Sequence, residues 1–202
     1  MRDFFLAADG WCRGATRYDS PYFGARAHGI AIDLLVIHNI SLPAGRFGGP
    51  HVADLFSGRL DYAADPSFAI LRGLTVSAHF FIRRCGRVMQ FVSGNECAWH
   101  AGASAFDGRL QCNQFSIGIE MEGCDFAPFT PAQYASLTEL TLALRRRYPL
   151  AAVRGHEHIA PGRKTDPGPF FDWARYQADL EGNSASALPV PPQKPLQFPS
   201  KS

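Results

Sequence analysis

Residues 34–39 read LLVIHN, and this short stretch indicates both the centre of the fold and a first functional residue. Residues 34–37 form an unbroken apolar run, which is typical of a strand that is buried on both faces. The run ends at His38, and functional side chains of helix-covered sheets often lie where a strand ends. We therefore predict a buried strand that carries His38 at its carboxyl end.

A second strand is predicted over residues 115–122, which read FSIGIEME. Apolar side chains alternate with small or charged ones, so the two sets face opposite sides of a sheet. The apolar set is Ile117, Ile119 and Met121, and the opposite set is Ser116, Gly118, Glu120 and Glu122. One face of this strand is thus predicted to be core, and the other to carry carboxylates.

Local signals also predict a hairpin and a long helix. Residues 76–84 and 87–92 read as two strands, and Gly86 between them supplies the turn. A helix is predicted from Thr130, a good N-cap, with Gln133 completing a capping box. Strands and helices are therefore mixed along the chain.

The order of these elements predicts an α/β fold of mixed α+β character, with a central mixed β-sheet flanked by helices. Shorter helices are predicted from Asp65 and over residues 172–181, with Gly182 as the stop of the latter. We expect one domain over residues 1–182. Residues 183–202 are rich in Pro and Ser, which predicts a flexible tail.

Composition excludes several classes of partner. The 202 residues are 46% hydrophobic and 19% charged, with a formal net charge of +2. The 20 Lys and Arg residues are spread along the chain, so no nucleic-acid partner is expected. No stretch approaches the roughly 20 apolar residues of a membrane span, so no membrane partner is expected either. We expect the chain to act as a monomer.

The cysteines and the N-terminal stretch predict a cytoplasmic location. The five cysteines are odd in number and no pair has Cys-x-x-Cys spacing, so neither a disulfide framework nor a cysteine zinc site is indicated. Free cysteines favour a reducing compartment. The apolar run over residues 4–8 is shorter than the roughly 7–15 residues of a signal-peptide core.

Two distant segments hold candidate metal ligands. His38 lies in the first, and a Pro- and Gly-rich segment near residue 160 contains His156, His158 and Asp166. A catalytic zinc site uses three protein ligands, and two His with one Asp would meet that need. Spacing alone does not distinguish His156 from His158. His79 is predicted to point inward from a strand, either as a buried structural residue or as a ligand.

Three charged residues are candidates for the chemistry itself. Glu120 lies on the polar face of its strand, and a carboxylate beside a metal site can act as a general base. Glu122 shares that face and is its rival. Lys164 lies two residues before Asp166, where a cation could stabilise a developing oxyanion.

Five ordered blocks resemble the cytoplasmic 1,6-anhydro-N-acetylmuramyl-L-alanine amidases, a zinc-dependent family with the fold of the peptidoglycan-recognition proteins. The blocks cover nearly the whole chain before the tail, which makes a chance match implausible. They are residues 34–50, 76–92, 98–102, 112–123 and 155–176.

The resemblance implies a role for each matching residue. It implies that Zn²⁺ is held by His38, His156 rather than His158, and Asp166. It implies that Glu120 is the catalytic carboxylate and that Lys164 assists it. The parts of the groove that would contact the substrate are Asn39, Ala98, Trp99 and His100.

The implied reaction is hydrolysis of the amide between the lactyl group of (1,6-anhydro-)N-acetylmuramic acid and L-alanine in muropeptides. The implied setting is cytoplasmic peptidoglycan recycling, which in some bacteria also keeps β-lactamase induction low. The main alternative is a non-catalytic peptidoglycan-binding module of the same fold, although such modules typically lack part of the metal triad. A secreted or lipid-anchored amidase and a polymerase inhibitor like some phage relatives are more distant alternatives.

Overall fold

The computed structural model describes residues 3–184 and 195–200. Twelve strands, four α-helices and two 3-10 helices lie within these ranges. The strands are β1 (Phe5–Leu6), β2 (Cys12–Arg13), β3 (Thr16–Arg17), β4 (Phe23–Gly24), β5 (Leu34–Ile40), β6 (Phe80–Ile82), β7 (Val88–Gln90), β8 (Cys97–Ala98), β9 (Ala105–Phe106), β10 (Arg109–Leu110), β11 (Ser116–Glu122) and β12 (Ala152–Gly155). The helices are α1 (His51–Phe56), α2 (Pro131–Arg147), α3 (His156–Ile159) and α4 (Trp173–Ser184), and the 3-10 helices are Pro66–Leu71 and Cys112–Gln114.

Six strands form one mixed sheet in the order β12-β5-β11-β6-β7-β3. The neighbours β12, β5, β11 and β6 run parallel, whereas β6 and β7 form an antiparallel hairpin. The remaining strands pair two by two as β1-β2, β4-β8 and β9-β10. The predicted mixed sheet flanked by helices is confirmed, and so is the hairpin.

The two longest strands, β5 and β11, lie side by side at the centre of this sheet. Their register pairs His38 with Glu120. Because paired residues of parallel neighbours project to the same face, these two side chains come to one face of the sheet. The apolar side chains of Ile37 and Ile119, one position earlier on each strand, project to the opposite face and are fully buried.

The two faces of the sheet have different coverings. Helices α2 and α4 cover the face of Ile37 and Ile119 and complete the largest hydrophobic cluster with Leu140 and Tyr176. Helix α1 and the 3-10 helix over 66–71 belong to a second cluster, which includes Phe81 of β6. The functional residues described below therefore lie on the sheet face opposite α2.

Helix α2 begins as its sequence predicts. The Thr130 hydroxyl accepts a hydrogen bond from the Gln133 N–H at 3.2 Å, and the Gln133 side chain accepts one from the Thr130 N–H at 3.0 Å. The Gln133 amide group also donates to the carbonyl oxygens of Ile82 and Glu122, on β6 and β11. Gln133 thus anchors the start of the helix to the carboxyl ends of β6 and β11, near the functional residues.

Two sequence expectations about helices need correction. The segment after Asp65 is a 3-10 helix, with the Asp65 carboxylate accepting from the Ser67 N–H. Helix α4 continues through Gly182 to residue 184, so Gly182 does not stop it. A single glycine weakens a helix by only about 1 kcal/mol, and packing of the helix on α2 is enough to carry it further.

Among the described residues, no helix has the length and apolar character needed to cross a membrane.

Residues 195–200 lie along the outer edge of the sheet, beside β12. The Gln197 N–H donates to the Ala151 carbonyl at 2.9 Å, and the Gln197 carbonyl accepts from the Val153 N–H at 2.9 Å. The Phe198 ring packs against Tyr176 with a centroid separation of 5.7 Å. This part of the expected flexible tail is therefore docked on the domain. Residues 185–194 and 201–202 lie outside the described ranges, and the domain boundary at residue 182 stays a prediction.

Candidate metal centre and active site

Three donor atoms from distant parts of the chain converge at one point of the sheet face. They are Nδ1 of His38, Nδ1 of His156 and Oδ2 of Asp166. His38 Nδ1 lies 3.0 Å from His156 Nδ1 and 2.9 Å from the Asp166 oxygen, and the third side of the triangle is 3.1 Å. The donors belong to β5, to the first residue of α3 and to the loop that follows α3.

Each histidine of this triangle has its second ring nitrogen engaged by the protein. His156 Nε2 lies 3.0 Å from the Ala101 carbonyl oxygen, and His38 Nε2 lies 2.9 Å from Nδ1 of His100. A partner on the second nitrogen fixes the orientation of a metal-binding ring and directs the other nitrogen to the metal. This is the arrangement seen around metal-ligating histidines generally.

Burial and mutual contact set the charge of this cluster. Burial lowers the pKa of His38, which is nearly inaccessible to solvent, despite the opposing effect of the nearby Asp166 carboxylate. Burial alone would raise the pKa of the Asp166 carboxyl, but its close contacts with His156 and His38 lower that pKa below its ordinary range. A neutral His38 beside an ionised Asp166 is therefore favoured, which is the form in which these two groups bind a cation.

The donor set fits Zn²⁺. Two imidazole nitrogens and one carboxylate oxygen are typical ligands of catalytic zinc, and the donors lie near the spacing of about 3.3 Å that tetrahedral bonds of about 2.0–2.1 Å require. A fourth position remains for water, because the triangle faces a cavity of about 300 Å³ that Glu120, Trp99 and Lys164 also line.

Glu120 lies in this cavity with an unpaired carboxylate oxygen. The side chain is only 8% exposed, and its Oε2 atom has no hydrogen-bond partner among the described residues. Burial raises the pKa of this carboxyl well above its usual value, the charge of Asp166 raises it further, and Lys164 opposes the shift. Buried polar atoms of native proteins are nearly always paired, so an unpaired one facing a cavity indicates a group kept for a ligand or for catalysis.

Its sequence rival, Glu122, has a different position. One Glu122 carboxylate oxygen accepts from the Gly48 N–H at 2.6 Å and the other from the Arg84 N–H at 2.8 Å. Arg83 adds an ion pair at 3.6 Å. Both oxygens of Glu122 are therefore used to hold loops, whereas Glu120 has an oxygen without a partner among the described residues.

The loop that carries Lys164 and Asp166 is held in place by a residue that the sequence pattern did not reveal. The Asp125 carboxylate accepts a hydrogen bond from Asn39 Nδ2 at 2.7 Å and one from the Thr165 hydroxyl at 2.6 Å. Asn39 follows His38, and Thr165 precedes Asp166, so Asp125 joins two segments that contribute to the donor triangle. Nothing in the local periodicity around residue 125 predicts this, because both partners are distant in sequence.

We expect Asp125→Ala to weaken zinc binding by about 10- to 100-fold, the usual effect of losing a residue that orients metal ligands. The substitution leaves Asn39 and Thr165 without their shared acceptor and frees the loop of Asp166. Zinc affinity measured by competition with a chelator tests this. Asp19→Ala is the control, because Asp19 forms an exposed ion pair with Arg17. Equal affinities in the two variants would contradict the assignment.

The remaining candidate histidines have other partners. His79 is fully buried, and its Nδ1 accepts from the Gly118 N–H at 3.0 Å while its Nε2 meets the Glu96 carbonyl oxygen at 3.0 Å. Burial lowers the pKa of His79 to about 3, so it is a neutral structural residue. His158 accepts from the Gly155 N–H at 2.9 Å and is outside the donor triangle.

The four residues expected to contact substrate occupy different positions. Asn39, Trp99 and His100 line the cavity of the donor triangle. Trp99 is the most open of these, at 37% exposed. Ala98 is fully buried in the second hydrophobic cluster, and its contact with substrate stays a prediction.

A metal-ligand triangle beside an unpaired acid, at the carboxyl end of parallel strands, defines a hydrolytic centre. Comparison with known proteins gives the family. The model of the N-acetylmuramoyl-L-alanine amidase family matches residues 28–169, which is more than half of the chain, and the chain belongs to this family.

The chain is also similar to individual amidases of known sequence or structure. The chain is 51% identical over 175 residues to the 1,6-anhydro-N-acetylmuramyl-L-alanine amidase AmpD of Citrobacter freundii, with 86% of this chain and 94% of the relative covered. A crystal structure of a selenomethionine derivative of AmpD superposes with a TM-score of 0.83 at 49% identity, covering 87% of this chain and 99% of that one. The amidase AmiD of Escherichia coli, solved with anhydro-N-acetylmuramic acid-L-Ala-D-γ-Glu-L-Lys, gives a TM-score of 0.56 at 29% identity, with coverages of 89% and 66%.

Proposed function

We propose that this protein hydrolyses the amide between the lactyl group of 1,6-anhydro-N-acetylmuramic acid and L-alanine in muropeptides, a step of peptidoglycan recycling. The observation that carries the chemistry is the unpaired Glu120 oxygen in the cavity of the donor triangle. The substrate class is supported by the 51% identity over 175 residues with AmpD of Citrobacter freundii. A recognition module would have no use for a buried acid without a partner, which favours the enzyme.

His38, His156 and Asp166 would hold Zn²⁺. When bound there, the ion would supply Lewis-acid activation of a water molecule and of the scissile carbonyl group. Two neutral imidazoles and one carboxylate leave such an ion with a net positive charge, which suits this role.

The side chains around the triangle account for the proton transfers. Glu120 would accept a proton from the attacking water through its unpaired oxygen and then deliver that proton to the departing L-alanine nitrogen. Lys164 is exposed at the rim of the same cavity, where its ammonium group would offset the negative charge that develops on the carbonyl oxygen. Its positive charge also favours the ionised form of Glu120, which a general base requires.

The cavity has walls suited to a sugar with an attached peptide. One wall is apolar and includes Leu71, Leu74 and Val76, and Trp99 stands at the opening. An aromatic ring and apolar side chains can pack on a sugar face or an alanine methyl group. Asn39 would contribute a polar contact of the groove. A cytoplasmic location and a monomeric state complete the proposal.

The deciding experiment uses metal-free protein and anhydromuramyl-tripeptide, with and without added zinc. Mass spectrometry follows release of the peptide. We expect cleavage at the lactyl–alanine amide only in the presence of zinc. Binding of the muropeptide by zinc-loaded protein without cleavage would overturn the catalytic assignment and leave a recognition module.

A further inference from the structure

A chain of hydrogen bonds runs from a backbone carbonyl to the metal-ligand triangle through two residues that have no part in the proposed chemistry. The Ser116 hydroxyl donates to the Cys112 carbonyl at 2.6 Å, and Ser116 Oγ lies 3.1 Å from His100 Nε2. His100 Nδ1 lies 2.9 Å from His38 Nε2. The other nitrogen of His38 is the one in the donor triangle.

The position of each hydrogen in this chain follows from its first member. A carbonyl oxygen can only accept, so the single hydroxyl hydrogen of Ser116 is directed to Cys112. Ser116 Oγ must then accept from His100 Nε2. A neutral imidazole has one N–H, so His100 Nδ1 has a lone pair and must accept from His38 Nε2. His38 Nδ1 is left with a lone pair that faces the donor triangle.

His156, the second histidine of the donor triangle, also has its lone pair on Nδ1, and a single contact determines this. Nε2 of His156 meets the Ala101 carbonyl at 3.0 Å, and this acceptor by itself requires an N–H there. His38 has a histidine in the corresponding place, and a neutral imidazole can either donate or accept. Only the contact with Ser116 decides which nitrogen of His100 donates.

The backbone makes room for this arrangement. Ser116, Gly118 and Glu120 lie on one face of β11, and a Cβ atom at residue 118 would lie 2.4 Å from Cγ of His100. The absence of a side chain at Gly118 therefore lets the His100 ring lie over the strand, between Ser116 and His38. Three residues on this predicted face of β11 therefore act in turn. Ser116 supplies a hydrogen bond, Gly118 leaves room for the His100 ring, and Glu120 supplies a carboxyl group.

We propose that His100 and Ser116 are positioning residues that fix the tautomer of His38, so that Nδ1 presents its lone pair to the metal. This inference rests on the proposed metal ligation by His38. In this arrangement both ring nitrogens of His100 bond to protein groups, so neither is left for the substrate contact expected from the sequence. A role in filling space would need only the shape of the ring.

Two His100 substitutions separate these roles. His100→Asn keeps a carbonyl oxygen near the place of Nδ1, whereas His100→Phe keeps the ring volume and removes the acceptor. We expect zinc affinity, measured by chelator competition on the full chain, to fall by about 10- to 100-fold in His100→Phe and by much less in His100→Asn. The reverse order would overturn the proposal, because a space-filling role favours the ring.

Ser116→Ala provides a test that leaves both rings in place. We expect zinc affinity about 10-fold lower or more. We also expect ¹⁵N spectra of the zinc-free full chain to show His38 shifting from the Nε2–H form toward the Nδ1–H form. Ser136→Ala is the matched control, since the buried Ser136 hydroxyl donates to the Gly86 carbonyl far from the donor triangle.

Unchanged affinity and unchanged ¹⁵N signals in Ser116→Ala would overturn the proposal even if the His100 variants fail to fold. Failure of the unsubstituted protein to bind zinc would instead overturn the ligation by His38 on which the inference depends. The two failures are therefore distinguishable.

Discussion

Glu120→Gln is expected to lower kcat by about 10²- to 10⁴-fold, the usual contribution of a positioned general acid–base group. The amide has the shape of the carboxyl group but cannot take a proton from water at the catalytic pH. Zinc content should remain at one ion per chain, because Glu120 is outside the donor triangle. Steady-state kinetics with the muropeptide, together with elemental analysis of the purified variant, measure both quantities.

The stability of this variant should not fall. A carboxyl group whose pKa is raised by folding binds its proton more tightly in the folded state, so it lowers stability as the pH rises through its unfolded-state pKa. Replacing Glu120 by a neutral amide removes that penalty at neutral pH. Thermal unfolding of the zinc-free protein should therefore give a Tm equal to or above that of the unsubstituted chain.

Glu122→Gln is the matched control, because Glu122 lies on the same strand face and is equally buried. Its carboxylate accepts from two backbone N–H groups, so its loss should reduce stability by about 1–3 kcal/mol while kcat stays close to normal. If kcat fell strongly in Glu122→Gln while Glu120→Gln stayed active, Glu122 and not Glu120 would be the catalytic carboxylate.

The second large effect is expected for His156→Ala, which should lose zinc and activity together. Removal of one of three ligands should weaken zinc binding by more than the roughly 10- to 100-fold typical of outer-shell residues. His156 also meets the Ala101 carbonyl, so its loss leaves that oxygen with the hydrogen bond from Arg163 alone among the described residues. Zinc stoichiometry after dialysis and peptide release at saturating zinc are the two measurements.

His158→Ala is the paired control, two residues further along α3. His158 caps the start of this short helix through the Gly155 N–H and packs edge-on against Trp173. We expect a modest loss of stability of about 1 kcal/mol with zinc content unchanged. Loss of zinc from His158→Ala, with zinc retained in His156→Ala, would show that the wrong histidine was chosen.

Comparison of the two histidines illustrates what the sequence could predict. The pattern GHEH offers two ligands of equal chemistry, and only the resemblance to the amidases favoured His156. In the structure His156, the first residue of α3, lies in the donor triangle beside β5, whereas His158 turns back to cap the helix. The spacing of the two histidines in the sequence does not predict their different positions, because these depend on where β12 ends.

The central strands were predictable for a physical reason. The apolar run of β5 and the alternation of β11 reflect burial of one or both strand faces, and burial is recorded directly in the side-chain pattern. Asp125 was not predictable in this way. Its partners Asn39 and Thr165 come from separate loops, and a single carboxylate in a polar loop has no periodic signature.

The docked segment over residues 195–200 has a consequence for the chain as a solution species. Strand β12 ends the six-stranded sheet, and an open strand edge is a template on which a second molecule can add its own strand. Gln197 occupies that edge with its backbone, and Phe198 covers the adjacent ring of Tyr176. Residues 195–200 therefore cover this edge, and we expect a variant truncated before residue 195 to expose the backbone groups of β12 and to self-associate more readily.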